Sequence, residues 1–144
     1  METHLRVARP TNNLKEAVKF FKEGLGFEII ASFENHEGFN GVMFGHKKIS
    51  YHFEVTEQIG HSVEINPTQE DLLVFYINDK SDWEYYKNKL AELGFKKVNS
   101  SNPYWNLNGV TYEDSDGYRV VLQNSDLIVC IMCLLLVRNE LFSK

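Results

Sequence analysis

Cysteine is nearly absent from this 144-residue chain: the only two, Cys130 and Cys133, lie close together near its end. That usage excludes a disulfide-stapled scaffold and fits a reducing, cytoplasmic compartment. Positive charge is in deficit, with 15 Lys and Arg against 20 Asp and Glu, a formal net charge of -5. No basic stripe is left to track a nucleic acid backbone. A small anionic ligand is not excluded, because local charge governs a pocket. Long hydrophobic runs are missing as well. The longest, residues 127–137, falls short of the ~20 apolar residues that a membrane-spanning helix needs. The first residues carry no basic-then-apolar targeting pattern. There is no Gly-rich phosphate loop and no nucleophile beside a base, so phosphoryl transfer and covalent catalysis find no support.

What the chain does have is enough apolar content, 43%, for one core shared by one domain or two small fused modules. Residues 5–9 alternate like a half-buried strand and stop at Pro10, which has no N–H for a ladder. Thr11, Asn12 and Asn13 supply caps for a helix over 14–23, with Leu14, Ala17, Val18, Phe21 and Leu25 on one face. Gly24 and Gly26 stop it. Strands are expected over 27–33, 41–44 and 49–56, with a loop at 34–38. Residues 57–70 are polar and aperiodic, a natural linker.

After the linker the order repeats. A strand over 72–77 leads to caps at 78–81 and a helix marked by Trp83, Tyr86, Leu90 and Leu93, ending at Gly94. A strand at 95–98, a loop over 100–108 and a hairpin complete the second half. The hairpin turns at Asp114-Ser115-Asp116-Gly117, where Gly117 is expected at positive φ. Leu25-Gly26-Phe27 matches Leu93-Gly94-Phe95, and Asn13 matches Asp79, an offset of about 66–68 positions. The halves read as two copies of one βαβββ unit.

This doubled order, the helix-Leu-Gly-Phe turn in both halves and the aromatic-x-Asp-x-Asp-Gly hairpin resemble the vicinal oxygen chelate superfamily. That is the glyoxalase/bleomycin-resistance/dioxygenase group, and the resemblance spans residues 5–124. It implies an α+β fold in which two tandem βαβββ modules form curved mixed sheets around a central pocket, generally in a homodimer. The modules are expected at 1–57 and 71–125, with a linker over 58–70 and an apolar extension over 126–144. In metal-using members the first and last strand of each module carry the ligands. Those four places fall here on Arg6, Glu54, Leu72 and Val121. Leu and Val offer no lone pair, and a permanently protonated Arg repels a divalent ion. The implied metal site is therefore degenerate, and no cofactor is expected.

Strand alternation sets His52 and Glu54 on one face, His4 and Arg6 on another, and Arg119, Val121 and Gln123 on a third. If all three look into the pocket, Arg6 either pairs with Glu54 where the metal would be or holds an anionic ligand bidentately. Tyr76, with Tyr104 and Trp105 of the Pro-Tyr-Trp loop, adds flat aromatic area with polar handles. The expected ligand-binding set is thus Arg6, His52, Glu54, Tyr76, Tyr104, Trp105, Arg119 and Gln123. A two-residue slip of register brings in His4 instead. His4, His52 and Glu54 then form a two-His-one-carboxylate site for one Ni, Zn, Fe or Mn ion.

Three functions are carried forward. The first is metal-free binding of a small organic molecule. The second is a metal-dependent lyase, isomerase or dioxygenase, and the third a dimeric protein whose pocket is filled by its own side chains. No nucleic acid or membrane partner is expected. Cys130 and Cys133 match C-x-x-C but lack the helix start of a redox motif, so the tail reads as a packing element.

Overall fold

The computed structural model describes residues 3–128. The expected tail, with Cys130 and Cys133, lies almost wholly outside them. The element order is β1 (Leu5–Pro10), α1 (Leu14–Val18) running into a π-wound turn (Lys19–Gly24), β2 (Glu28–His36), β3 (Phe39–Gly45) and β4 (Tyr51–Gln58). It then repeats as β5 (Leu72–Tyr76), α2 (Lys80–Glu92), β6 (Lys96–Val98), α3 (Tyr104–Leu107), β7 (Gly109–Glu113) and β8 (Arg119–Gln123). Sheet A has the order β1-β4-β3-β2 and sheet B the order β5-β8-β7-β6. In each, the first strand pairs parallel with the last and the remaining pairs are antiparallel. The repeated sequence is thus a repeated topology. Gly26 and Gly94 occupy the same corner in both copies, at φ +74° and +84°.

Local chemistry accounts for the boundaries. Asn13 Oδ1 accepts from the Glu16 amide at 3.2 Å and caps α1, while Asp79 caps α2 through the Asp82 amide at 2.9 Å. Asn13→Ala should cost about 1 kcal/mol in urea unfolding; an unchanged midpoint would show that tertiary packing alone sets this helix. Gly117 lies at φ +85°, as the turn requires.

Three local expectations change. The first helix widens to π-winding after Val18, with the Leu25 amide bonded to Phe20 O at 3.0 Å. The looser winding lets the neighbouring Phe20 and Phe21 both turn inward. Phe20 meets Phe95 edge-on, and Phe21 stacks on Phe44 and Phe53. The second strand runs on through the expected loop to His36, since an exposed edge strand tolerates polar residues; the reversal is made at Asn35 and Glu37, both at positive φ. The loop over 100–108 contains the short helix α3.

The modules share one apolar core. Phe53 and Val55 of sheet A and Val120 and Leu122 of sheet B point into it, with Phe27 and Phe75 joining the two halves. Leu90 of α2 packs against Gly24. Because the core takes one face of each sheet, alternation commits the other faces to whatever site exists. No helix among the described residues is long and apolar enough to cross a membrane.

Candidate functional site

On sheet A the open face gathers His4, Arg6, His52 and Glu54. Arg6 and His52 are Cα partners across β1 and β4, and Glu54 lies one step further along the same face, opposite Ala8. Arg6 Nε donates to His52 Nε2 at 2.7 Å. Arginine never gives up that proton, so Nε2 is an acceptor and His52 is neutral with its proton on Nδ1. That proton goes to His4 Nε2, whose ring lies 4.6 Å away centre to centre. Burial pushes the His52 pKa down, and Arg6 and His4 add to the fall against Glu54. Arg6 Nη1 stands 2.7 Å from Glu54 Oε2 as an ion pair, although that oxygen has no aligned hydrogen bond. The Arg6 side chain is 50% exposed and Glu54 only 13%, so the cation faces outward over a sunken carboxylate.

Sheet B presents a different face. Arg119, Val121, Gln123 and Thr111 are all buried on it. Arg119 donates to Glu113 Oε1 from Nε at 3.1 Å and Nη2 at 2.9 Å, and reaches Gln69 O in the linker. Glu113 also accepts from Lys96 at 2.9 Å; that bond first and Arg119 second hold its carboxyl below the usual range. Neither Glu113 nor Gln69 was singled out in the sequence. The signal for Glu113 was present, since a hairpin closing on Asp114–Tyr118 sets 113 opposite 119. The segment from Ser100 to Gly109 lies on this face. Ser100 Oγ and Thr111 Oγ1 share a hydrogen bond of 2.7 Å, and α3 packs on β7. A Cβ on Gly109 would strike the Trp105 carbonyl and Gln123 Oε1 and stand 3.3 Å from Val121, so only glycine lets the segment come so close.

The expected residues therefore fall into separate groups. His4, Arg6, His52 and Glu54 are joined on sheet A, while Arg119 and Gln123 sit under the 100–109 segment on sheet B. Tyr104 and Trp105 meet edge-on in α3. Tyr76 pairs with Gln123 in register and lines an apolar slot of about 170 Å³ with Phe27, Phe75 and Tyr86. Trp105 roofs a cavity of about 250 Å³ over Leu72, closed at the rim by Ser101 Oγ donating to Gln69 Oε1 at 3.0 Å. A larger polar cleft of about 360 Å³ between Asn12, Asn40 and the linker is remote from this chemistry.

The donor set does not fit a divalent ion at the four places that the resemblance implies. Glu54 is already paired with a guanidinium, Leu72 and Val121 carry no donor, and Val121 is fully buried. In the slipped register, both ring nitrogens of His52 are engaged, by Arg6 and by His4.

Comparison with known proteins gives the same outline. The YycE-like N-terminal domain model matches residues 5–56 and the YycE-like C-terminal domain model residues 70–124. The uncharacterized protein YycE of Bacillus subtilis (strain 168) is 43% identical over 121 residues, covering 84% of this chain and 87% of that protein. A crystal structure of a YycE protein from Bacillus subtilis superposes with a TM-score of 0.82 at 42% identity, over 87% of this chain and 91% of that one. At 14% identity, Leishmania major glyoxalase I superposes with a TM-score of 0.72 over 97% of this chain and 99% of its own. The fosfomycin resistance protein FosX from Mesorhizobium loti gives 0.69 at 11% identity, over 92% and 98%.

Proposed function

The chain belongs to the YycE-like family, with the glyoxalase/bleomycin resistance fold of the vicinal oxygen chelate superfamily, and from that premise we propose that it binds a small organic molecule without a metal. The observation that carries this reading is Arg6. A fixed cation stands at a metal-ligand place, anchored by His52 and Glu54 and half exposed on the open face of sheet A. Its remaining N–H groups are suited to a carboxylate or another planar anion. Trp105 and Tyr104, with Arg119 and Gln123 behind them, supply the aromatic and polar wall of the second module.

The working unit in this reading is a homodimer in the reducing cytoplasm. Ile29 and Ile30 of β2 are 41% and 51% exposed, and burying such apolar surface favours a second copy over water. A second reading, a lyase, isomerase or dioxygenase using one divalent metal, draws on the convergence of His4, His52 and Glu54 on one face. A third, a dimer with a filled pocket, draws on the burial of Val121 under the 100–109 segment.

Elemental mass spectrometry of the purified chain, with thermal unfolding before and after EDTA, separates them. The expected result is less than one metal per chain or dimer and a midpoint that chelation leaves within about a degree. One equivalent of Ni, Zn, Fe or Mn, lost to EDTA with a drop of many degrees, would overturn the proposal. Hemithioacetal and catechol-type substrates would then be the ones to test.

A further inference from the structure

Two apolar recesses lie along β5 at the seam between the modules. The slot of about 170 Å³ is bounded by Phe27 of the first module and by Phe75, Ile77 and Tyr86 of the second. A groove of about 240 Å³ has Leu5, Val7 and Tyr51 of the first module on one side and Leu73 and Phe75 on the other. Phe75 belongs to both recesses, so they form one apolar track. From Leu73 to Ile77 the track runs about 13 Å, at the 3.3 Å rise of a strand. It also follows two bare edges. β5 is an edge strand of sheet B and β1 an edge strand of sheet A, and neither outer edge pairs with another strand among the described residues. The β5 sequence Leu-Leu-Val-Phe-Tyr has none of the charges, prolines or bulges that protect an open edge, which leaves cover by another segment.

The track ends where the chain leaves the fold. Gln123, the last residue of β8, pairs in register with Tyr76, and Asn124 Nδ2 donates to Ile77 O at 2.9 Å. Two residues on, Asp126 Oδ1 accepts from the Ile128 amide at 2.7 Å and caps a helix that opens at Leu127. Leu127 and Ile128 are exposed, and they begin the apolar run 127–137. That run has no charge, glycine or proline before Arg138 and continues beyond the described residues. As a helix it would be about 16 Å long at 1.5 Å per residue, a match for the track. A helix that is apolar all round needs cover on more than one side, and a track between two strand edges supplies it.

We propose that residues 129–137 seat in this track as a helix, covering the open edges of β5 and β1 and tying the two modules together. The occupant is the chain's own segment because it is tethered beside Ile77. A second copy would have to compete with a local concentration on the order of millimolar. The seat is a feature of this chain's extension, since the family match ends at residue 124.

The test uses the full chain. NMR of an isotope-labelled sample should show proton contacts from the methyl groups of residues 129–137 to Leu5, Leu73 and Phe75. In a mixture of labelled and unlabelled chains, filtered for contacts between copies, those signals should be absent. Contacts seen only between copies would overturn the proposal and give the track to a second chain. The absence of any contact with β1 or β5 would overturn it too. Ile131→Asp combined with Leu135→Asp places charge on the run and should speed amide exchange in β1 and β5 at least tenfold, as large apolar side chains return to water. Exchange unchanged by the pair would sink the idea. Should that variant aggregate, the contacts within the unaltered chain decide the matter.

Discussion

Val121→Glu, which places a carboxylate where the family resemblance implies a last-strand metal ligand, should destabilise the fold by about 3–5 kcal/mol near neutral pH and recruit no metal. Val121 has no exposed surface, and it lies between Val74 and Thr111 on neighbouring strands with Gly109 close by. The nearby hydroxyls of Ser100 and Thr111 bond to each other, so the pair has one proton left to offer. A carboxylate there would lack the donors that make a buried charge tolerable. The variant should regain stability toward pH 5, where the new side chain takes up a proton and only a polar group remains to be buried. Urea unfolding at pH 7.5 and 5.5 with elemental analysis reads both effects, and Val121→Ile, whose added methylene should cost about 1–3 kcal/mol at either pH, controls for crowding. A Val121→Glu chain as stable as the parent and carrying one metal ion would sink the idea.

That prediction turns on a fact that the sequence holds only in part. Alternation along β8 correctly separates Val120 and Leu122, in the shared core, from Arg119, Val121 and Gln123 on the other face. It says nothing of what covers that other face. The cover is the 100–109 segment, and its approach depends on a Cβ-free Gly109 and on Asn106, which clamps Ser100 through both its amide and its carbonyl. Such tertiary contacts leave no periodic trace. The repeat was legible because each half had to cap a helix, turn it at Leu-Gly-Phe and bury one face of a sheet, and each demand selects residue types. The π-wound turn was not. A five-residue α-helical start followed by Phe20 and Phe21 has the spacing of an ordinary amphipathic helix, and only the partners Phe95 and Phe44 show why both rings must turn inward.

The Arg6 face tests the proposed function most directly. Arg6→Met should weaken binding of an anionic ligand by about 30–150-fold, the equivalent of losing one charge-assisted pair of about 2–3 kcal/mol. The chain should still fold, because a cost of that order is a fraction of the 5–15 kcal/mol typical of a domain. Some cost is expected all the same. Glu54 is sunken and its nearest counter-charge is Arg6 Nη1 at 2.7 Å, so removing the arginine strands a carboxylate. Adding Glu54→Gln to Arg6→Met removes the stranded charge and should recover most of the lost stability. It should not recover binding, because the guanidinium is still missing. The measurements are a thermal-shift screen of small carboxylates and phosphonates on the parent, the single variant and the double variant, alongside their unfolding midpoints. If every ligand found with the parent is kept by Arg6→Met, Arg6 is no anchor and serves Glu54 alone. If the single variant unfolds and the double folds without binding, the ion pair is structural and the guanidinium is also the group that the ligand meets.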